Sequence, residues 1–154
     1  QQELKELNDN NVKVRMLGDW SALPQDAQNS VKKALTTTEN NTGLVFSIAV
    51  NYGGRAEITR AARLIAEQVK TGTLEPEEVD EKHISDNLYT SGMPDPDMII
   101  RTGGEMRVSN FLIWQGAYSE LVVTDIYWPD FTPERYEEAI AEFQRRDRRF
   151  GGIK

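Results

Sequence analysis

Leu44-Val45-Phe46-Ser47-Ile48-Ala49-Val50, followed by Asn51-Tyr52-Gly53-Gly54, is the stretch on which the fold turns. The nearly continuous apolar, β-favouring run predicts a strand covered on both faces, the usual state of a strand in a parallel sheet. Asn51 to Gly54 then breaks it. Beyond the break, Ile58, Ala61, Ala62, Ile65 and Val69 recur at helical spacing until Thr71-Gly72 closes the pattern. A strand feeding a helix through a short glycine turn is the repeating unit of α/β folds.

The same alternation extends in both directions. Upstream, residues 1–11 carry Leu4 and Leu7 on one helical face, and Val12 to Leu17 predicts a strand ended by Gly18-Asp19. Pro24 suits the first turn of a helix whose inward residues are Ala27, Val31, Ala34 and Leu35. Downstream, Pro76 predicts another helix, with Val79, Ile84 and Leu88 inward, and Met98-Ile99-Ile100 predicts a short buried strand. Phe111 to Tyr118 is apolar and aromatic without a clear period. Leu121 to Thr124 predicts a strand. Thr132-Pro133 predicts a capped helix start, with Tyr136, Ala139, Ile140 and Phe143 inward. The expected fold is α/β, a mostly parallel central sheet flanked by helices, in one domain over 1–154.

Composition narrows the function classes. The 154 residues contain no Cys and one His, which excludes a disulfide scaffold, a zinc finger and a Cys nucleophile. Lys and Arg number 18 against 25 Asp and Glu, the wrong balance for a non-specific nucleic-acid binder. No apolar run approaches the ~18 residues of a membrane span, and no secretory signal is visible, so a cytoplasmic location is expected. The chain opens Gln1-Gln2-Glu3 without an initiator Met.

Ligands of open α/β sheets bind beyond the carboxyl ends of the strands. Two Gly-Gly pairs sit there, Gly53-Gly54 and Gly103-Gly104. Neither matches a phosphate-loop or dinucleotide spacing, and each reads equally as a plain turn. Arg101-Thr-Gly-Gly-Glu105-Met-Arg107-Val-Ser109-Asn110 is denser. Arginine forks fit phosphate oxygens bidentately, and a hydroxyl or backbone N–H can complete such a cradle. Glu120 follows, and a carboxylate near a phosphate pocket suits Mg²⁺. The alternative is a structural Arg101–Glu105 ion pair with Glu120 a surface charge, and spacing does not separate the two. His83 reads as a packed or half-exposed histidine rather than a base, Trp20, Trp114 and Trp128 as core or rim rather than ligand-stacking residues, and Glu75 to Glu81 as a solvated helix face. No nucleophile elbow or HExxH motif occurs.

Arg101 to Gln115, Ala117-Tyr-Ser-Glu120-Leu and Trp128-Pro-Asp-Phe131 together resemble the cis-prenyltransferase family. Arg15 to Asp19, Ala49 to Arg55 and Arg148-Arg149-Phe150-Gly151-Gly152 match as well, in order along the chain. The resemblance implies repeated addition of isopentenyl diphosphate to an allylic diphosphate such as farnesyl diphosphate, each new double bond cis, giving a long polyprenyl diphosphate. It assigns Arg101, Arg107, Val108 and Ser109 to isopentenyl diphosphate, Glu105 and Asn110 to orienting them, and Glu120 to Mg²⁺. It assigns Arg149 and Gly151 to a tail that crosses a homodimer, and expects a transient membrane-surface contact for product release. The family's Asp-Gly-Asn-Gly-Arg-Trp-like allylic phosphate loop is absent. The resemblance thus implies the C-terminal portion of one cis-prenyltransferase domain, carrying the isopentenyl half-site and inactive alone. The alternative is a non-catalytic partner subunit on the same fold, against which Arg101, Arg107, Ser109 and Glu120 speak.

Overall fold

The structure, a computed structural model, describes residues 2–147. The chain divides into two compact units, Gln1–Ser91 and Gly92–Lys154. The first contains α1 (Gln2–Asp9), β1 (Lys13–Leu17), α2 (Gln25–Thr38), β2 (Val45–Ala49), α3 (Gly54–Lys70) and α4 (Glu81–Asp86). The second contains β3 (Met98–Thr102), β4 (Glu120–Thr124) and α5 (Pro133–Gln144). The class is α/β with parallel strand pairing, as the alternation implied. Among the described residues the strands form two parallel ladders, β1–β2 and β3–β4.

In the first unit, Lys13 pairs with Val45 and Leu17 with Ala49. α2 is stitched to β1 by a buried hydroxyl. Thr38 Oγ1 accepts the Val14 N–H at 3.0 Å and donates to the Ala34 carbonyl at 2.9 Å. That arrangement satisfies a strand N–H that β2 does not reach, which a buried backbone group requires. Val12, Val14, Leu17, Ala61, Ile65, Leu74 and Leu88 form the core.

Three expectations for this unit are corrected. β2 is not covered on both faces: Val45, Phe46 and Ile48 are exposed, because among the described residues the strand pairs with β1 alone and α2 packs on β1. The helix expected from Pro76 to Leu88 is broken into a 3₁₀ turn at Pro76–Glu78 and the short α4. Asp80, extended at φ −129°, accepts the His83 N–H at 3.0 Å and so starts a new helix. Val79 therefore lies exposed in the connection, and Ala62 is exposed on α3.

In the second unit Met98 pairs with Glu120 and Thr102 with Thr124. α5 packs on β4, with Val122 and Ala139 buried. Tyr136 is half exposed rather than inward, and Thr132 occupies the N-cap position without a side-chain capping bond. Trp128 is also exposed, stacked on Phe131 with ring centroids 5.9 Å apart, a rim rather than a core position. Residues 111–118 form turns, consistent with their missing period.

Candidate diphosphate site

β3 delivers Arg101 to its carboxyl end, and the chain then turns through Gly103 and Gly104, at φ +85° and +76°. A side chain at Gly104 would sit 2.7 Å from Asp125 Oδ1, so that carboxylate would have to swing aside, and the positive φ itself favours glycine. The N–H groups of Gly103 and Gly104 donate to the carbonyls of Ile126 and Thr124, both at 2.9 Å. These amides tie the loop to the end of β4 and the residues just after it and are spent on that task. The charge of the loop is therefore carried by side chains.

The structure brings four of the expected residues together. The Arg101 guanidinium donates through Nη1 to Ser109 Oγ at 3.1 Å and through Nη2 to Glu105. Arg107 Nη2 donates to the other Glu105 oxygen at 2.5 Å. One carboxylate thus bridges two arginines, and the ion pair left open by the spacing is present. Arg101 first, then Arg107, hold the Glu105 carboxyl below the usual carboxylate range. Arg101 Nε is buried and has no hydrogen-bond acceptor among the described residues. An unsatisfied buried N–H of a charged group is costly and marks a place for an anion. Ser109 and Asn110 hold φ +46° and +65°, in the left-handed region that non-glycine residues seldom adopt. That local twist turns the Ser109 hydroxyl back to Arg101. A cavity of about 280 Å³ opens here, with Arg101, Arg107 and Ser109 on its polar side and Ile99, Phe111 and Leu121 on its apolar side. Val108 also lines it. The arrangement can hold a small polyanion carrying an apolar group.

Glu120 is not in this cluster. Arg101 pairs with Val123, three residues along β4 from Glu120, about 10 Å of strand. Alternate side chains of a strand point to opposite faces. Glu120 shares the face of Val122, against which α5 lies, while Arg101 shares the opposite face with Ile99 and Leu121. Glu120 Oε2 is instead engaged at 3.0 Å by Arg146 Nη1. Mg²⁺ takes one or two carboxylates completed by substrate phosphate and water. Glu120 is already paired with Arg146 and turned away from the cradle, and among the described residues no three His, Cys, Asp or Glu side chains cluster as a metal site. The residues present do not fit a magnesium ion shared between Glu120 and an anion in the same chain's cradle.

The Gly53-Gly54 pair is a helix start, with Gly53 extended at φ −159° and Gly54 buried in the first turn of α3. Arg146 was not distinguishable from the other basic residues near the end of the sequence. Its only signal is Glu142 four residues before it, the favourable acid-then-base order on a helix. Arg149 and Gly151 lie outside the described residues. No helix among the described residues is long and apolar enough to cross a membrane.

Comparison with known proteins meets this geometry from another side. The family model described as "Putative undecaprenyl diphosphate synthase" matches residues 1–151. The chain is 54% identical over 150 residues to an isoprenyl transferase of Geobacillus kaustophilus, covering 97% of this chain and 58% of that protein. It is 49% identical over 152 residues to an isoprenyl transferase of Clostridium perfringens, covering 99% and 60%. Its fold matches the crystal structure of a lavandulyl diphosphate synthase from Lavandula x intermedia in complex with dimethylallyl diphosphate, with a TM-score of 0.92 and 37% identity over 97% of this chain and 65% of that one. The chain spans about three-fifths of the length of the curated relatives it matches. With a paired-arginine loop of this kind inside a match that runs nearly end to end, the chain belongs to the undecaprenyl diphosphate synthase family of prenyltransferases.

Proposed function

We propose that the protein elongates prenyl chains and that residues 1–154 carry the half of its site that holds isopentenyl diphosphate. The observation that supports this most directly is the buried, unsatisfied Nε of Arg101 beside Arg107 and the Ser109 hydroxyl. The diphosphate takes the place that Glu105 now neutralises only in part. Arg101 and Arg107 offset its charge, and Ser109 donates to an oxygen. Glu105 keeps both guanidinium groups aimed into the cavity, and Asn110 shapes the loop. The isopentenyl carbons then lie along Ile99, Phe111 and Leu121. In the condensation, the terminal alkene carbon bonds to C1 of the allylic partner as its C–O bond breaks and diphosphate leaves. A proton lost from the isopentenyl C2 forms the cis double bond. The cradle's contribution is to hold the nucleophilic alkene in place, and positioning of two reactants is worth roughly 7–11 kcal/mol.

Nothing in residues 1–154 resembles the family's allylic phosphate loop, so the chain supplied alone binds one substrate and does not turn over. Titration calorimetry with isopentenyl diphosphate tests the first part: binding by residues 1–154 is expected, and its loss in Arg101→Ala. Incubation with farnesyl diphosphate, radiolabelled isopentenyl diphosphate and Mg²⁺ tests the second, with no extractable lipid product expected. Binding indifferent to Arg101→Ala overturns the cradle, and measurable elongation overturns the half-site.

A further inference from the structure

We propose that Arg146 is the resident cation of Glu120, a latch that closes this carboxylate to divalent ions and ties the end of α5 to the amino end of β4. The disagreement between Glu120 and a metal-ligand role points here. Arg146 reaches three acceptors at once. Nη1 donates to Glu120 Oε2 at 3.0 Å and to the Leu121 carbonyl at 2.9 Å, and Nη2 donates to Glu142 one turn earlier. The three acceptors come from the start of β4 and from α5, so the fork binds two elements rather than two side chains. Arg146 and Glu120 retain only 32% and 26% of their side-chain exposure, which limits screening by salt. Glu142 and Glu120 together hold the guanidinium proton even more firmly than usual.

A divalent ion approaching Glu120 meets this guanidinium at contact distance. Uptake of the ion requires Arg146 to leave, and its departure also strips the Leu121 carbonyl and Glu142 of their donor. Ion binding at Glu120 and docking of the α5 end are thus mutually exclusive. Linkage makes the effect reciprocal: whatever loosens the α5 end opens the carboxylate, and an ion on the carboxylate loosens the α5 end. The latch does not depend on which substrate the cradle takes.

Mn²⁺, an ion visible by electron paramagnetic resonance, is the probe. Arg146→Gln is expected to bind Mn²⁺ roughly tenfold or more tightly than the unaltered chain, within the span typical of coupled sites. The Arg146→Gln, Glu120→Gln double variant loses that gain. A second measurement needs no change at Arg146: saturating Mn²⁺ speeds amide hydrogen exchange across the last turn of α5 in the unaltered chain and leaves Glu120→Gln unchanged. Equal Mn²⁺ affinity with and without Arg146 overturns the latch, as does a gain that survives Glu120→Gln. Mn²⁺ uptake through Glu120 with α5 exchange unaltered overturns it too.

Discussion

The Tyr52 hydroxyl donates to Glu57 Oε2 across 2.6 Å, and the Tyr89 N–H donates to Glu57 Oε1 at the same distance. Glu57 is 1% exposed, so one buried carboxylate holds the turn after β2, the first turn of α3 and the segment after α4. Arg60 strengthens the same corner, with its guanidinium 4.8 Å above the Tyr89 ring and a 3.0 Å bond to the Asn87 carbonyl. Hydrogen bonds to charged groups contribute about 1.5–3 kcal/mol each, and a donor left buried without its acceptor costs as much. Glu57→Ala should therefore lose roughly 3 kcal/mol or more of folding stability in urea unfolding. Tyr52→Phe should lose less, and its loss should shrink in the Glu57→Ala background, because the two share one bond. Independent, additive losses would show that the bond carries no stability.

The two glycines of the diphosphate loop should respond differently to alanine. Both sit at positive φ, where a side chain costs about 1–2 kcal/mol. At Gly103 the added carbon meets only the exposed Tyr127 ring at 3.7 Å, ordinary contact. At Gly104 it lies 2.7 Å from Asp125 Oδ1. Gly104→Ala should be the more destabilising of the two, and Asp125→Ala should narrow the gap. If the two alanines cost the same in thermal unfolding, the Asp125 carboxylate swings aside freely and the loop does not depend on space at Gly104.

Much of this was legible beforehand because it is local. The apolar periods of β1, β3 and α3 and the crowding of Arg101, Glu105, Arg107 and Ser109 into one loop need no knowledge of distant residues. What failed depended on partners far along the chain or on a single local device. The exposure of Val45, Phe46 and Ile48 follows from how many strands and helices lie beside β2, which its own composition does not encode. The face taken by Glu120 follows from the β3–β4 register, and a slip of one residue would have put it with Arg101. Glu57 carries no signal in its own neighbourhood, because its buried role depends on Tyr89, 32 residues on, being brought to it. The break before α4 rests on one capping residue, Asp80, hidden in an acidic run.

The bridging carboxylate sets a pH dependence of known sign. Arg101 foremost, with Arg107, holds the folded-state pKa of Glu105 below its unfolded value. The bridge is then fully formed above the unfolded value of about 4.3 and is lost as pH falls through the lower folded value. Carbon-detected NMR of the Glu105 carboxyl should place its midpoint below about 4.3 in the folded chain. Arg101→Ala should move that midpoint back up further than Arg107→Ala does. A midpoint at the ordinary value in the unaltered chain would mean that the bridge does not persist in solution.

Exposure separates what the two arginines do. Arg107 is 64% exposed and Arg101 26%, although both touch Glu105. An exposed ion pair contributes about 0–1 kcal/mol to folding, so Arg107→Ala should leave the urea midpoint almost unmoved. Its affinity for isopentenyl diphosphate should nonetheless fall by roughly 1.5–3 kcal/mol, the worth of a charge-assisted bond to the ligand. Arg101→Ala should lose both affinity and stability, because it also removes the Ser109 partner and empties a half-buried position on β3. Calorimetric titration beside urea unfolding distinguishes these profiles. Unaltered isopentenyl diphosphate affinity in Arg107→Ala would confine the cradle to Arg101 and Ser109, and would reduce Arg107 to a surface counter-charge of Glu105.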